Sequence, residues 1–242
     1  MIRPPTAPMI AVTFALPQES RDFRHALRHA TPVGEAPRPL LLGNVGDEEV
    51  LVGHTGVGPA AAAEGIAALL AYHRPRLLIS TGFAGGLDPS LATGDLLIAT
   101  NFSTPALVAQ SRALLTGGTR AFFGMLTSQP HTAETVAEKS ALAATTGALG
   151  VDMETASIAA ACARAGVPLL AVRAISDSAL EPLPVPFAEW FDLAAQRPRP
   201  LALLRFLAHH PAQISPFARF VHGLTPARQA FTRFITDFIT DS

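Results

Sequence analysis

The chain has 242 residues, nearly half of them hydrophobic, a formal charge of −1 at neutral pH and a single cysteine. One large buried core is within reach of that length, and the near-zero charge gives no reason to expect nucleic acid as a partner. A lone Cys162 cannot close an internal disulfide, which points to a reducing compartment, most simply the cytoplasm. No apolar run approaches the ~20 residues that span a bilayer. Lys139, the only lysine, reads as compositional bias.

Residues 1–8 are proline-rich without an apolar stretch, as in a short disordered lead-in to a single domain over 9–242. Residues 9–16, MIAVTFAL, predict a buried first strand. A helix follows over 17–29, with Pro17 in its first turn, which leaves Glu19 at the strand–helix junction. Two short strands are expected around 39–42 and 49–53, joined by a hairpin over 44–47. HTGVGPAAAAEGIAALLAYH is a Gly-rich turn opening an Ala-rich helix. Gly56 and Gly58 after a strand resemble part of a dinucleotide fingerprint. The next strand, 76–83, ends without the acid such a site needs, so a tight turn with close helix packing is the better reading. A further reading has an anion or nucleophile facing Thr55, Gly56, Gly58 and Ser80, with backbone N–H groups as donors. Strand 96–99 comes next. Residues 101–120 are short and rich in Ser, Thr and Gly; 121–128 is a strand. A helix spans 132–147, with Thr132 as N-cap and Gly147 as its stop.

The stretch GVDMETASIAAACARAGVPLLAVRAISDS, 150–178, is the most informative. A short strand ends at Glu154, a helix of small residues follows to 165, and Gly166 and Pro168 end it. The apolar run 169–175 then suits an internal parallel strand. Charges fall at the strand ends: Asp152 and Glu154 on one, Arg173 and Asp177 on the other. Open α/β sheets bind ligands at the carboxyl ends of their strands. Arg173 and Asp177 are four residues apart and share a strand face by alternation, so an ion pair between them is the plain alternative to a catalytic Asp177.

DMET followed by RAISD, with STGFAGGL and GDLLIA upstream in order, resembles the nucleoside phosphorylase and nucleosidase superfamily. That family includes methylthioadenosine/S-adenosylhomocysteine nucleosidase and the purine nucleoside phosphorylases. The resemblance implies a three-layer α/β/α sandwich on a mixed, twisted sheet, a homodimer and a small-molecule nucleoside as ligand; no metal-ligand spacing appears in the sequence, and no cofactor is expected. It implies cleavage of a purine N-glycosidic bond, whose breaking leaves an oxocarbenium-like sugar and a base that needs a proton. Asp177, oriented by Ser176, is the implied acid for N7. Glu154 is the implied acceptor for both ribose hydroxyls, with Met153 under the sugar and Gly82, Phe83 and Val151 as further wall. Glu19 is the implied activator of water. Taken singly, Glu19 and Glu154 also suit helix-start acids favoured by the macrodipole. Three acids together weigh against a non-catalytic nucleoside-binding module.

Two departures from the family pattern matter. Phe83 replaces a serine, making that wall larger and more apolar. Ser80 stands where the phosphorylases place a phosphate-binding arginine, which favours water over phosphate. The segment 181–242 is Pro-rich and then helical. With TGALGVDMET, its PAQISPFARFVHGLTPARQAF resembles the hopanoid-associated nucleoside phosphorylase branch, implying a lipid-linked adenine nucleoside such as adenosylhopane; methylthioadenosine/S-adenosylhomocysteine hydrolysis is the rival. From residue 196 onward six arginines face two acids. Phe231, Phe234, Ile235, Phe238 and Ile239 recur at helical spacing. Such a stripe more commonly covers a core or a subunit interface; the alternative is peripheral contact with the inner membrane.

Overall fold

The computed structural model describes residues 9–34, 39–115 and 120–241, so the expected lead-in 1–8 lies outside the described residues. The first half comprises β1 (Ile10–Phe14), α1 (Arg21–Ala26), β2 (Arg28–Val33), β3 (Leu40–Val45), β4 (Glu48–His54), α2 (Pro59–Tyr72), β5 (Leu77–Gly86), β6 (Leu96–Ala99) and α3 (Pro105–Leu114). The second comprises β7 (Ala121–Gly124), β8 (Leu126–Ser128), α4 (Val136–Thr146), β9 (Gly150–Asp152), α5 (Thr155–Ala165), β10 (Leu169–Asp177), α6 (Phe187–Trp190), the two-residue strands β11 (Phe191–Asp192) and β12 (Arg197–Pro198), α7 (Pro200–His209) and α8 (Ile214–Thr240).

The main sheet runs β2-β3-β4-β1-β5-β10-β6-β7, with β9 pairing both β5 and β8. Its centre, β4, β1, β5 and β10, is parallel, while β6 lies antiparallel to β10. Continuous apolar runs make this possible: all of β1 is buried, and so is β10 from Leu169 to Ile175. Such strands need cover on both faces. Alternation supplies both sets of contacts. Ile10, Val12 and Phe14 face Phe231, Phe234, Ile235, Phe238 and Ile239 of α8. Met9 and Ala11 face Ala62, Ile66, Ile158 and Cys162 of α2 and α5. The result is the expected three-layer α/β/α sandwich. The aromatic stripe of the tail is therefore core, and those side chains are not available to a membrane.

Several local expectations give way to packing. The tail reads as short helices, yet α8 is a single helix of 27 residues that runs through Pro226. Proline inside a helix costs about 3 kcal/mol, and each buried Phe or Ile beyond it returns ~1.5–3 kcal/mol. The helix expected over 17–29 is only α1, and Pro17 precedes it. Residues 28–33 instead form β2, an edge strand where Pro32 is tolerated. Residues 101–120 contain α3, started by Pro105 and packed through Leu107 and Val108 on the α8 core. The strand at 121–128 divides at Met125. The N-cap of α4 is Thr135, not Thr132, because Glu138 closes a capping box with it. Gly147 and Gly166 do end their helices, in left-handed conformation with φ 65 and 64.

Candidate active site

Four adjacent parallel strands deliver their carboxyl ends to one edge of the sheet. The turn after β4 brings Thr55 to Gly58, and the turn after β1 brings Glu19. The end of β5 brings Gly82 and Phe83, and that of β10 brings Ser176 and Asp177. β9, antiparallel to the last residues of β5, adds Val151 and, just past its end, Met153 and Glu154.

Arg173 lies beneath this edge, 2% exposed. Its five N–H donors meet five acceptors. Nε donates to Asp152 at 2.9 Å, one terminal nitrogen to the carbonyls of Ser80 and Val172 at 2.9 Å, and the other to Ser80 Oγ at 3.1 Å and Thr155 Oγ1 at 2.6 Å. Asp152 is held in turn by the Ser128 hydroxyl at 2.5 Å and by Thr155. A buried charge stripped of its partner is expensive, whereas this one is fully satisfied.

Glu19 folds back on its own turn and accepts the N–H of Ala15 at 2.8 Å and of Leu16 at 3.2 Å. A Cβ at Gly82 would stand 3.3 Å from its carboxylate, so glycine at this point of β5 permits the close approach. Burial raises the Glu19 carboxyl to about 7, although the two N–H groups and Arg173 pull it down. Glu154 is also raised, first by burial and then by the charge of Asp152, against the opposing N–H of Gly58. That N–H is 2.6 Å from Glu154 Oε1.

The proposed anion nest at Thr55–Gly58 is filled from within the protein. Gly56 N–H donates to the Ala15 carbonyl at 3.0 Å and Val57 N–H to Gln196 at 2.7 Å, while Gly58 serves Glu154. Thr55 Oγ1 contacts the Phe14 and Gly56 carbonyls at 3.3 Å. Ser80 is engaged by Arg173. None of these groups faces the cavity as a free donor set for phosphate.

Asp177 is not paired with Arg173. The register between β10 and β5 shifts between Ile175 and Asp177, so alternation no longer places residues 173 and 177 on one face. Asp177 Oδ2 instead accepts from Lys139 Nζ at 2.5 Å. Lys139 is fully buried on α4 and also donates to the carbonyls of Ser178 and Glu181 at 2.7 Å each. Its three protons thus have three acceptors, and the chain's single lysine is a site residue, not a compositional accident. Ser176 Oγ lies 2.5 Å from Asp177 Oδ1 and 3.1 Å from the Ala84 carbonyl.

These groups surround a cavity of about 170 Å³ lined by Glu19, Phe83, Val151, Met153, Glu154, Ser176 and Asp177. Its remaining wall comes from places the sequence reading passed over. Phe187 and Trp190, stacked edge-on at 4.7 Å, close one side. Thr132, and Phe220 and Leu224 of α8, close others. The 181–192 segment showed only its prolines in the sequence, but its FAEWF run was the available signal. Below the cavity is a recess of about 10 Å³ bounded by Glu19, Glu154, Arg173, Ser80, Thr81 and Gly82, room for about one water. The Thr13 and Thr81 hydroxyls line it, buried and without a protein partner. Among the described residues no cluster of His, Cys, Asp and Glu is arranged to hold a metal.

Replacing Arg173 by Met should cost ~3–5 kcal/mol in urea denaturation, because Asp152 is left buried and unpaired. Adding Asp152→Leu should restore part of that loss. A loss below about 1 kcal/mol for the single variant would show that the pair is not what holds these strand ends.

The family model of the phosphorylase superfamily matches residues 9–124 and 103–208. A 5′-methylthioadenosine/S-adenosylhomocysteine nucleosidase of Haemophilus influenzae (strain PittEE) is 28% identical over 222 residues, covering 80% of this chain and 96% of the relative. Among solved structures, the Neisseria meningitidis nucleosidase of the same name, in complex with methylthio-immucillin-A, superposes with a TM-score of 0.76 at 19% identity, covering 98% of this chain and 100% of that one. The futalosine hydrolase of Helicobacter pylori strain 26695 gives 0.75 at 17% identity, covering 97% and 98%. Four parallel strand ends gathering buried acids, and a family model that spans most of the chain, lead to one conclusion: this protein belongs to the phosphorylase superfamily.

Proposed function

We propose that this enzyme of purine nucleoside N-glycosidic cleavage is a hydrolase acting on an adenine nucleoside with an apolar 5′ substituent. The observation that carries the reading is the water-sized recess beneath Glu19, joined to an apolar cavity that also holds Glu154 and Asp177. In this reading the ribose 2′- and 3′-hydroxyls donate to Glu154, which favours its ionised form and places negative charge near the developing oxocarbenium ion. Asp177 gives its proton to N7 as the C1′–N9 bond breaks and the bonding electrons leave with the base. When Oδ1 carries that proton, the Ser176 hydroxyl has the Ala84 carbonyl to turn to, while Lys139 holds Oδ2. Water in the recess adds to C1′ and passes a proton to Glu19. An acid value of about 7 suits a base that works near neutrality.

Water is favoured over phosphate by the size of the recess, about 10 Å³, and by the absence of an uncommitted arginine at Ser80. The aromatic wall of Phe187 and Trp190 and the apolar Phe83 support an apolar 5′ group. The tail resemblance extends this to a lipid-linked nucleoside such as adenosylhopane, acting as a homodimer at the inner face of the membrane. Hydrolysis of 5′-methylthioadenosine or S-adenosylhomocysteine is the second reading, favoured by the 28% identical relative that bears that name.

Incubation with 5′-methylthioadenosine in phosphate-free buffer should yield adenine and the free sugar. A sugar 1-phosphate, with no turnover until phosphate is added, would replace hydrolysis by phosphorolysis. The same assay across pH should show kcat/KM falling about tenfold per unit as pH drops well below ~7, since Glu19 acts as a base only once ionised. Glu19→Gln should lose ~10²–10⁴-fold. An unchanged rate in that variant would remove Glu19 from the chemistry.

A further inference from the structure

The sequence from residue 193 to 236 contains no acid, although the whole chain carries −1. Within it lie Arg197, Arg199, Arg205, Arg219, Arg228 and Arg233, with His209, His210 and His222. Of these arginines only Arg228 is in an ion pair among the described residues, with Asp22 at 2.7 Å. The same segment exposes large aliphatic side chains, Leu201 at 81%, Leu204 at 66%, Ile214 at 51% and Val221 at 47%. No residue of α7 is buried. Its inward side, Leu203, Phe206 and Leu207, is half-covered, while Leu201, Leu204 and Ala208 recur along the outward side at helical spacing. On α8, Ile214, Ala218 and Val221 repeat the pattern for two turns before the helix enters the core at Ala227.

The opposite side of α8 borders the site. Arg219 and Phe220 line a second cavity, about 430 Å³, together with Ser176, Asp177, Pro182 and Pro184. Phe220, Ser176 and Asp177 border the nucleoside cavity as well. The two spaces meet under the first half of α8.

We infer that the outward face of α7 and the first half of α8 docks this enzyme on an anionic lipid surface, with Leu201, Leu204, Ile214 and Val221 entering the headgroup region. The inference rests on the reading of the substrate as lipid-linked, and it moves the membrane contact away from the buried phenylalanines of the helix end. Exposed leucines framed by uncompensated arginines are the composition of an interfacial helix, and a negatively charged leaflet supplies the complement to both. A second copy of the same face is the poorer complement, because two arginine-rich segments with no acid of their own would be set against each other. No helix among the described residues is long and apolar enough to cross a membrane, so the contact is peripheral.

The test is co-sedimentation of the full chain with phosphatidylcholine vesicles containing about a third phosphatidylglycerol, against phosphatidylcholine alone, at low and high salt. Binding should require the anionic lipid and weaken at least tenfold in high salt. The variant Leu201→Gln/Leu204→Gln/Ile214→Gln/Val221→Gln alters exposed positions only and should lose at least tenfold in binding while keeping the circular dichroism spectrum and thermal midpoint of the parent. Equal binding by parent and variant, or none by the parent to anionic vesicles at low salt, overturns the inference. So does a parent dimer that the four substitutions dissociate without any vesicle binding, which would make this face a subunit interface. Turnover of 5′-methylthioadenosine, measured without vesicles, keeps the two proposals apart: its absence overturns the reaction, and vesicle binding alone decides the surface.

Discussion

The structure depends on the buried guanidinium of Arg173. It joins the middle of β5 and of β10, the end of β9 and the first turn of α5 through five hydrogen bonds. Asp152 neutralises it, and hydroxyls of Ser80, Thr155 and Ser128 complete both partners. A pair of this kind contributes little to net stability compared with an apolar replacement. What it contributes here is position: it occupies the floor on which Glu19 and Glu154 rest, and its charge partly offsets the burial that raises both. Two carboxyls are thereby kept in a largely apolar place where either protonation state is accessible near neutrality.

The three acids of the cavity are held in different ways, and the difference follows from the elements that carry them. Glu19 is fixed by the backbone of its own turn, and Glu154 by a glycine N–H from the turn after β4. Asp177 is fixed by the ammonium of Lys139 and the hydroxyl of Ser176. The first two lose solvent without gaining a direct cation. The third gains one, so ordering its carboxylate falls to α4, an element that the strand-end view of the site leaves out.

Much of this arrangement was legible in the sequence because it rests on strand order. Runs such as IAVTF, LLISTGF and LLAVRAISD are largely apolar without alternation, as central strands are, which sets the residues just past them at one edge. Glu154 and Asp177 stand out in the sequence as acids at strand ends, whereas Glu19 and Met153 are singled out by the family resemblance. What escaped depends on geometry that alternation does not carry. A bulge of one residue turns Asp177 from Arg173 to Lys139, and nothing in RAISD announces it. The Gly56–Gly58 turn offered N–H donors for an anion, but the protein uses them itself, the Gly58 N–H going to Glu154, nearly a hundred residues away. Pro226 inside α8 and Pro32 in β2 show local propensity yielding to burial in one case and to an open sheet edge in the other.

The tail gives the reaction site part of its outer wall, through Phe220 and Leu224, so the nature of the 5′ group decides the proposed specificity. The most direct measurement is adenine release from a series of 5′-alkylthioadenosines of increasing chain length. The account predicts adenine from every member and a kcat/KM that grows with the alkyl chain as more apolar surface is buried, about threefold or more per methylene if each is fully covered. Release of no base from any member would contradict N-glycosidic cleavage itself. A kcat/KM greatest for the shortest chain and falling thereafter would contradict the apolar 5′ specificity.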